Sequence, residues 1–531
     1  LLKRTCFCLF LIVLYPVASV QAAGDLRESL RHRLEALYLP DDLSGVDQEL
    51  FAVAPLQSLY ERRTWQPIWF TERARPSALQ EELSTLFEVA YEQGLAPEHY
   101  HRERIQALME SQPAGSQPDL AVQVELELLA SDALLTLGHH LANGRVDPVT
   151  IDPGWLIERE PGSLRRHLVE IGSGESDDLR TVLEALVPDY PAYRTLQRRL
   201  ALQRQFADQD SWPVIASGAL IRPGGQDLRV GQVRTRLIKL RDLEAGDDSA
   251  QPEVYDAALE RAVKNFQSRH GLKADGVIGP RTLAALNVTP EQRIEQLRAN
   301  MERWRWLPSS LGEEYILVNI AGFDMQVVSR GETVMEQRVV VGRPYRRTPV
   351  FTGRMTYLVL NPSWEVPHKL AVQDQLPKIR ANLSYLDEMG FSVLQGWGAN
   401  EVRVDPTQVN WSALSARNFP YRLRQSPGPN NALGQVKFMF PNRHNVYLHD
   451  TAARGLFAED DRALSSGCIR VEDPEALTRW LLSERGNVMS QERITRTFSG
   501  GQETTVRLDR ALPVHMLYWT AWVDDQDRVQ Y

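Results

Sequence analysis

The chain has 531 residues, 43% of them hydrophobic and 24% charged, a balance that excludes a disordered or fibrous polymer. At ~100–200 residues per domain this length calls for about three or four folded units. A formal net charge of −9 gives no electrostatic case for nucleic acid and leaves local basic patches as the only route to an anionic polymer.

Residues 1–23 read as an export signal. Lys3 and Arg4 precede a short apolar run from Cys6 to Tyr15, and Val20-Gln21-Ala22 or Gln21-Ala22-Ala23 supplies small-residue cleavage sites. The run is shorter than the ~20 residues that span a bilayer, so the alternative is an uncleaved signal anchor. Cys6 and Cys8 lie ahead of any cleavage site, which argues against a lipoprotein.

Residues 24–220 predict a helical domain. Leu79, Leu83, Leu86, Phe87 and Ala90 recur at helical spacing, as do Leu126, Leu129, Ala130, Ala133, Leu134 and Leu137. Trp65, Trp69 and Phe70 form a packing cluster, and no titratable constellation stands out in this stretch. His139 and His140 are neighbours on a helix and face different directions, so they read as helix-end histidines rather than a metal pair.

Residues 226–290 predict a small three-helix module. Leu259, Ala262, Val263 and Phe266 make one stripe. Asp275-Gly276 turns the chain, and Pro280 opens a helix carrying Leu283 and Leu286.

From residue 312 the hydrophobic period changes to two, and short strands run through 488 around a long insertion at 368–434. An insertion of that length in a β domain reads as a lid. Trp364, Trp397 and Trp411 line the cleft beneath it or pack a small core of its own, and the sequence leaves both readings open. Residues 489–531 read as a strand-rich C-terminal extension.

The chemistry centres on Cys468. It is the one cysteine beyond the signal, and Ser465-Ser466-Gly467 before it favours a turn over a core position. His449 stands 19 residues upstream (468 − 449) after a strand-like run. A histidine partner lowers a thiol pKa from ~8.5 into the ~3.5–7.5 range, which makes Cys468 the nucleophile and His449 its base. The side chain of Asp450 would point away from His449 on a strand, so a backbone carbonyl near Asp450 is the expected orienter of the ring. Backbone amides of Gly467 and Cys468 are the expected oxyanion donors. Tyr447 shares the sheet face of His449 and adds a donor or simply packs. Arg470 holds a substrate carboxylate or ties down the loop. No metal-ligand spacing stands out, and no cofactor is implied.

"LHDT…SSGCIR" resembles the signature of the L,D-transpeptidases, cysteine enzymes that cross-link peptidoglycan, and "VKNFQSRHGLKADGVIGPRTLAALN" resembles the peptidoglycan-binding module of cell-wall enzymes. The resemblance implies a multidomain α+β chain: helical N-terminal scaffold, peptidoglycan-binding-like module, and mainly-β catalytic domain with a capping insertion. It maps onto His449, Gly467, Cys468 and Arg470. Many relatives carry histidine immediately before the glycine; this chain has Ser466, so no role of that histidine carries over. The implied reaction is acyl transfer. Cys468 releases the terminal D-alanine of a donor stem tetrapeptide, and a side-chain amine of an acceptor stem then takes the acyl group. The partners implied are stem peptides, glycan strands and other cell-wall synthesis proteins in the periplasm of a Gram-negative bacterium, with consequences for cell shape. Carbapenems are the implied covalent inhibitors. Two other readings stand beside this one: a carboxypeptidase or endopeptidase passing the same acyl group to water, and a non-catalytic wall-binding scaffold.

Overall fold

A computed structural model of the chain describes residues 18–36, 50–70, 76–112, 118–151, 153, 155, 157, 178–209, 212–244, 252–485, 488–524 and 526–531. Residues 1–17 of the expected export signal lie outside the described residues, and helix Ala18–Ala36 covers its last six. No described helix is long and apolar enough to cross a membrane. The chain divides into two units: residues 1–146, 159–204 and 297–306 in the first, and residues 147–158, 205–296 and 307–531 in the second.

The first unit is helical. Helix Pro76–Glu92 contributes Leu79, Leu83, Leu86 and Ala90 to its core, and helix Leu120–Asn143 contributes Leu126, Leu129, Ala130, Ala133, Leu134 and Leu137. Asp119 caps the second helix by accepting from the amide of Val122. From Leu126 to Gly138 that helix is buried all round, so its polar residues are inside. Glu127 accepts from the Tyr60 hydroxyl at 2.6 Å and from the amides of Ile68, Trp69 and Phe70. Asp132 accepts from the amides of Phe51 at 3.1 Å and Ala52 at 2.7 Å, with His101 Nε2 2.7 Å away. These two carboxylates satisfy loop amides that have no ladder to join. A titratable constellation is therefore present where the sequence showed none, and its cause is structural. Burial pushes the Glu127 carboxyl up while its donors pull it down. Glu127→Ala strands several buried donors at once and should cost about 3 kcal/mol or more, read as a lower urea midpoint for this unit.

In the second unit, helices Arg229–Lys239, Ala257–Arg269 and Pro280–Leu286 close on Val230, Val233, Leu237, Leu259, Val263, Phe266, Leu283 and Leu286. Asp256 caps the middle helix through the amide of Leu259, and Pro280 opens the last one.

The rest of this unit is built on strands β1 (Glu314–Asn319), β2 (Asp324–Ser329), β3 (Glu332–Gly342), β4 (Phe351–Leu360), β5 (Trp364–Glu365), β6 (Phe391–Gln395), β7 (Val402–Arg403), β8 (Arg422–Gln425), β9 (Val436–Met439), β10 (Leu448–His449), β11 (Ala463–Ser465), β12 (Ile469–Val471) and β13 (Thr504–Leu517). Nine of them form one sheet in the order β11-β3-β12-β10-β9-β4-β13-β1-β2. Strand β3 also pairs with β2, so the sheet closes into a barrel-like surface around Ile316, Val318, Val339, Leu358, Phe438, Leu448, Ile469 and Val514. Within the segment 489–531, expected as a strand-rich C-terminal extension, residues 504–517 form a strand of this sheet. Helix Gln491–Gly500 leads into β13, which pairs antiparallel with β4 and parallel with β1.

Between β4 and β9 the chain forms the cap. Strands β5-β8-β6-β7 make its own four-stranded sheet, packed on Ala371, Leu376, Ile379, Leu386, Phe391, Trp411 and Leu423. Its helical side starts at His368, passes through one π-helical turn at Ala371–Gln375 and continues to Ala381. Arg422 and Arg424 alternate with Glu365 and Glu401 across the sheet in ion pairs of 2.8–3.0 Å.

Candidate active site

Strands β10 and β12 lie side by side and parallel, with Leu448 opposite Ile469 and His449 opposite Arg470. Paired residues of neighbouring strands project from the same face, and residues two apart share it. Leu448 and Ile469 are both fully buried in the barrel core. The opposite face therefore carries His449 and Arg470 and, two residues before each of them, Tyr447 and Cys468. The amide of Ile469 donating to the carbonyl of Tyr447 at 3.1 Å locks that register. The apolar alternation that buries the strands is what gathers four chemically active side chains.

The ring of His449 is 5% exposed, and its Nδ1 lies 2.5 Å from the carbonyl oxygen of Asp450. That carbonyl can only accept, so the proton sits on Nδ1 and the Nε2 lone pair is left as a base. Asp450 itself is held by three donors: the amides of Gln435 at 2.7 Å and Thr451 at 2.6 Å, and Arg454 Nη2 at 3.1 Å. Gly434 makes room for it. Gly434 has φ +58, and a Cβ there would meet the Asp450 carboxylate at 2.2 Å.

Cys468 is half-buried, and its thiol faces the carbonyl of Asn445 at 3.7 Å. Burial pushes the thiol up to about 11, against the pull of the Tyr447 amide, Arg470 and the Tyr447 hydroxyl. Burial, with Arg470 adding to it, brings His449 down to about 3, and only the bond to Asp450 opposes this. The sequence leads one to expect a thiol pKa lowered by its histidine. In the structure burial acts the other way, raising the thiol and lowering the imidazole against the neighbouring groups that favour the thiolate. The sign sets a pH dependence. The rate of Cys468 alkylation by iodoacetamide should climb about tenfold per pH unit from 7 to 10, and a plateau reached by pH 8 would contradict it. Protonation of His449 should not limit reactivity above about pH 4.

Gly467 occupies a left-handed conformation with φ +120, and its amide donates to Ser465 Oγ at 3.0 Å. The amide expected to bind an oxyanion is thus already engaged. Ser465 Oγ in turn donates to the carbonyl of Cys468 at 2.6 Å, and Thr348 Oγ1 donates to the carbonyl of Gly467 at 2.8 Å. These bonds set the turn that presents the sulfur.

Arg470 is largely buried and its Nε has no partner among the described residues. Burial and Arg343 lower its pKa, while Cys468 raises it. A guanidinium beside a nucleophile is a candidate contact for an anionic group. Tyr447 holds its ring 5.7 Å from that of His449, and burial and the neighbouring sulfur push its hydroxyl up.

The tryptophans separate. Trp411 is buried in the cap and its Nε1 donates to the carbonyl of Pro406 at 2.9 Å, while Trp364 packs partly buried against the same core, 6.3 Å from Phe391. Of the two readings of Trp364 that the sequence leaves open, the structure shows the packing against the cap core. Trp397 is exposed, with the guanidinium carbon of Arg422 3.4 Å from its ring centre. Among the described residues no group of three or more His, Cys, Asp or Glu is arranged to hold a metal.

Comparison with known proteins gives the site its context. Residues 54–200 match the family model of the scaffold domain, residues 226–286 that of the "Putative peptidoglycan binding domain", and residues 313–506 that of the L,D-transpeptidase catalytic domain. A Haemophilus influenzae protein named "Putative L,D-transpeptidase" is 37% identical over 231 residues, which is 44% of this chain and 45% of that protein. The chain thus spans less than half the length of this curated relative. Solved structures of L,D-transpeptidases from Mycobacterium smegmatis and Stackebrandtia nassauensis are 11% and 13% identical, with TM-scores of 0.18 and 0.20. They cover 38% and 56% of this chain and 58% and 97% of their own. Residues 313–506 are thus similar to the L,D-transpeptidase catalytic domain, and they are preceded in the same chain by segments similar to a scaffold domain and to a peptidoglycan-binding domain.

Proposed function

We propose that Cys468 is the nucleophile of an acyl transfer between peptidoglycan stem peptides. Sγ attacks the carbonyl that joins the third residue of a donor tetrapeptide to its terminal D-alanine, and the thiol proton passes to His449 Nε2. The leaving amine takes that proton, and a thioester remains. A side-chain amine of a second stem then attacks the thioester, forms the amide between third residues and restores the thiol.

One observation carries the reading: Tyr447, His449, Cys468 and Arg470 share one face, with the imidazole tautomer set for Nε2 to accept. A neutral pair suits this chemistry. The proton moves as the carbon–sulfur bond forms, so no buried ion pair has to exist beforehand. With the Gly467 amide engaged, the Cys468 amide and the Tyr447 hydroxyl are the donors for the oxyanion. Arg470, two residues from the nucleophile, is the candidate partner of a stem carboxylate. The cap between β4 and β9 excludes water, which favours amine over hydrolysis.

In this scheme residues 24–220 form the scaffold, 226–290 bring glycan strands to the enzyme, and 312–488 with the cap at 368–434 do the chemistry, outside the cytoplasm in the periplasm. Incubation with stem-tetrapeptide muropeptides tests it. Dimers accompanied by released D-alanine are expected, and a carbapenem should add covalently at Cys468 in intact-protein mass. Tripeptide without dimer would establish hydrolysis instead. Absence of any product and of any adduct would sink the assignment.

A further inference from the structure

The cap and the cysteine turn are joined by a residue the reaction does not use. Arg346 lies at the end of a short 3-10 turn, Pro344–Arg346, that follows β3. Its Nη1 donates to Asp374 Oδ2 at 2.7 Å and to Ser466 Oγ at 2.9 Å. Its Nη2 donates to Asp374 Oδ1 at 2.9 Å and to Gln373 Oε1 at 2.8 Å. Asp374 and Gln373 belong to the cap, and Ser466 stands two residues before the nucleophile. One guanidinium therefore grips both at once, and its side chain is only 11% exposed.

Three further features make this a built junction rather than a surface pair. The fork is bidentate toward the carboxylate, the geometry that fixes direction as well as distance. The two cap residues sit in the π-helical turn Ala371–Gln375, an irregularity that recurs at functional sites. The backbone around Arg346 also rests on the turn. The carbonyls of Arg346 and Arg347 lie 3.8 Å from where a Cβ of Gly467 would stand, and the Arg343 amide donates to the carbonyl of Ser465 at 3.1 Å. Arg346 in turn holds the Asp374 carboxyl below the usual carboxylate range.

We propose that Arg346 is a positioning residue that couples the cap to the Ser466-Gly467-Cys468 turn, and that this coupling decides how often the acyl group meets an amine rather than water. With the guanidinium in place, the cap root and the sulfur are held in one register. Without it the cap moves independently of the turn and water gains access to the thioester. The Ser466 hydroxyl is the acceptor through which the strap reaches the turn. The role in partition deepens the transfer reading and rests on it; the mechanical coupling does not.

Two readouts keep these apart. Iodoacetamide alkylation of Cys468 in the full chain needs no substrate. Asp374→Asn changes one atom of the cap, and Arg346→Ala removes the strap. Each should speed alkylation about tenfold, and the double variant should do no more than either single, as expected when both cut one link. With muropeptides the ratio of dimer to tripeptide should fall by a similar factor in both. Folded variants that alkylate at the wild-type rate, or whose effects add, would overturn the coupling. Variants that alkylate faster with an unchanged product ratio would overturn the role in partition. If the wild type makes neither product, the transfer reading fails, while the alkylation rates still decide whether Arg346 couples cap and turn.

Discussion

Cys468→Ala should lower acyl-enzyme formation by about 10⁴-fold or more, to the point where no adduct is seen. Its position explains why the loss should be chemical. The sulfur is the only atom on its face that can form the thioester: Tyr447 offers a hydroxyl pushed up by burial, and His449 and Arg470 cannot be acylated and released in the same way. The fold should survive. Cys468 is half-buried, and the bonds that shape its turn use the Ser465 and Thr348 hydroxyls and the main chain. Removing one sulfur from such a place costs about 1 kcal/mol. Intact mass after incubation with tetrapeptide donor, with a thermal melt alongside, checks both halves. A variant that still cross-links would end the assignment of Cys468.

Gly434→Ala should be nearly as damaging from a position that touches no substrate. An alanine there must hold φ near +58 and place its methyl at 2.2 Å from the Asp450 carboxylate. Either the 434–436 backbone or Asp450 must shift, and Asp450 is tied to Gln435, Thr451 and Arg454. Overpacking plus left-handed strain should cost about 2–4 kcal/mol. The carbonyl of Asp450 orients His449, so a displacement of ~1 Å should lower turnover about 10²-fold. Gly455→Ala is the control, because a Cβ there meets nothing within 4 Å. Equal activity in the two variants would show that the Asp450 platform does not position the base.

Much of the site was legible because it is local. "VYLHD" and "SSGCIR" carry their chemistry in adjacent letters, and period-two alternation puts Tyr447 with His449 and Cys468 with Arg470 on common faces. The multidomain α+β architecture was legible from the change of hydrophobic period near residue 312. What escaped depends on contacts between distant segments. Nothing in the string places Gly434 under Asp450 or Arg346 on Asp374. The thiol pKa escaped because sequence displays a nearby histidine but not the desolvation that opposes it. Helix Leu120–Asn143 did show a signal: Glu127, Ser131 and Asp132 interrupt an otherwise apolar run, which marks buried polar residues with work to do. Segment 489–531 read as an appendage because a strand's partners are not written beside it.

The parallel pairing of β1 with β13 sets an order of events for the nascent chain. Ile316 meets Val514, 198 residues later (514 − 316), and β13 also borders β4 along most of its length. Neither neighbour can complete its ladder until that late stretch has been synthesised, so the barrel should be slow to assemble. Until then the early strands of the barrel lack their late partner, and a ribosome that stalls before residue 504 leaves β1 and β4 each with an unpaired edge.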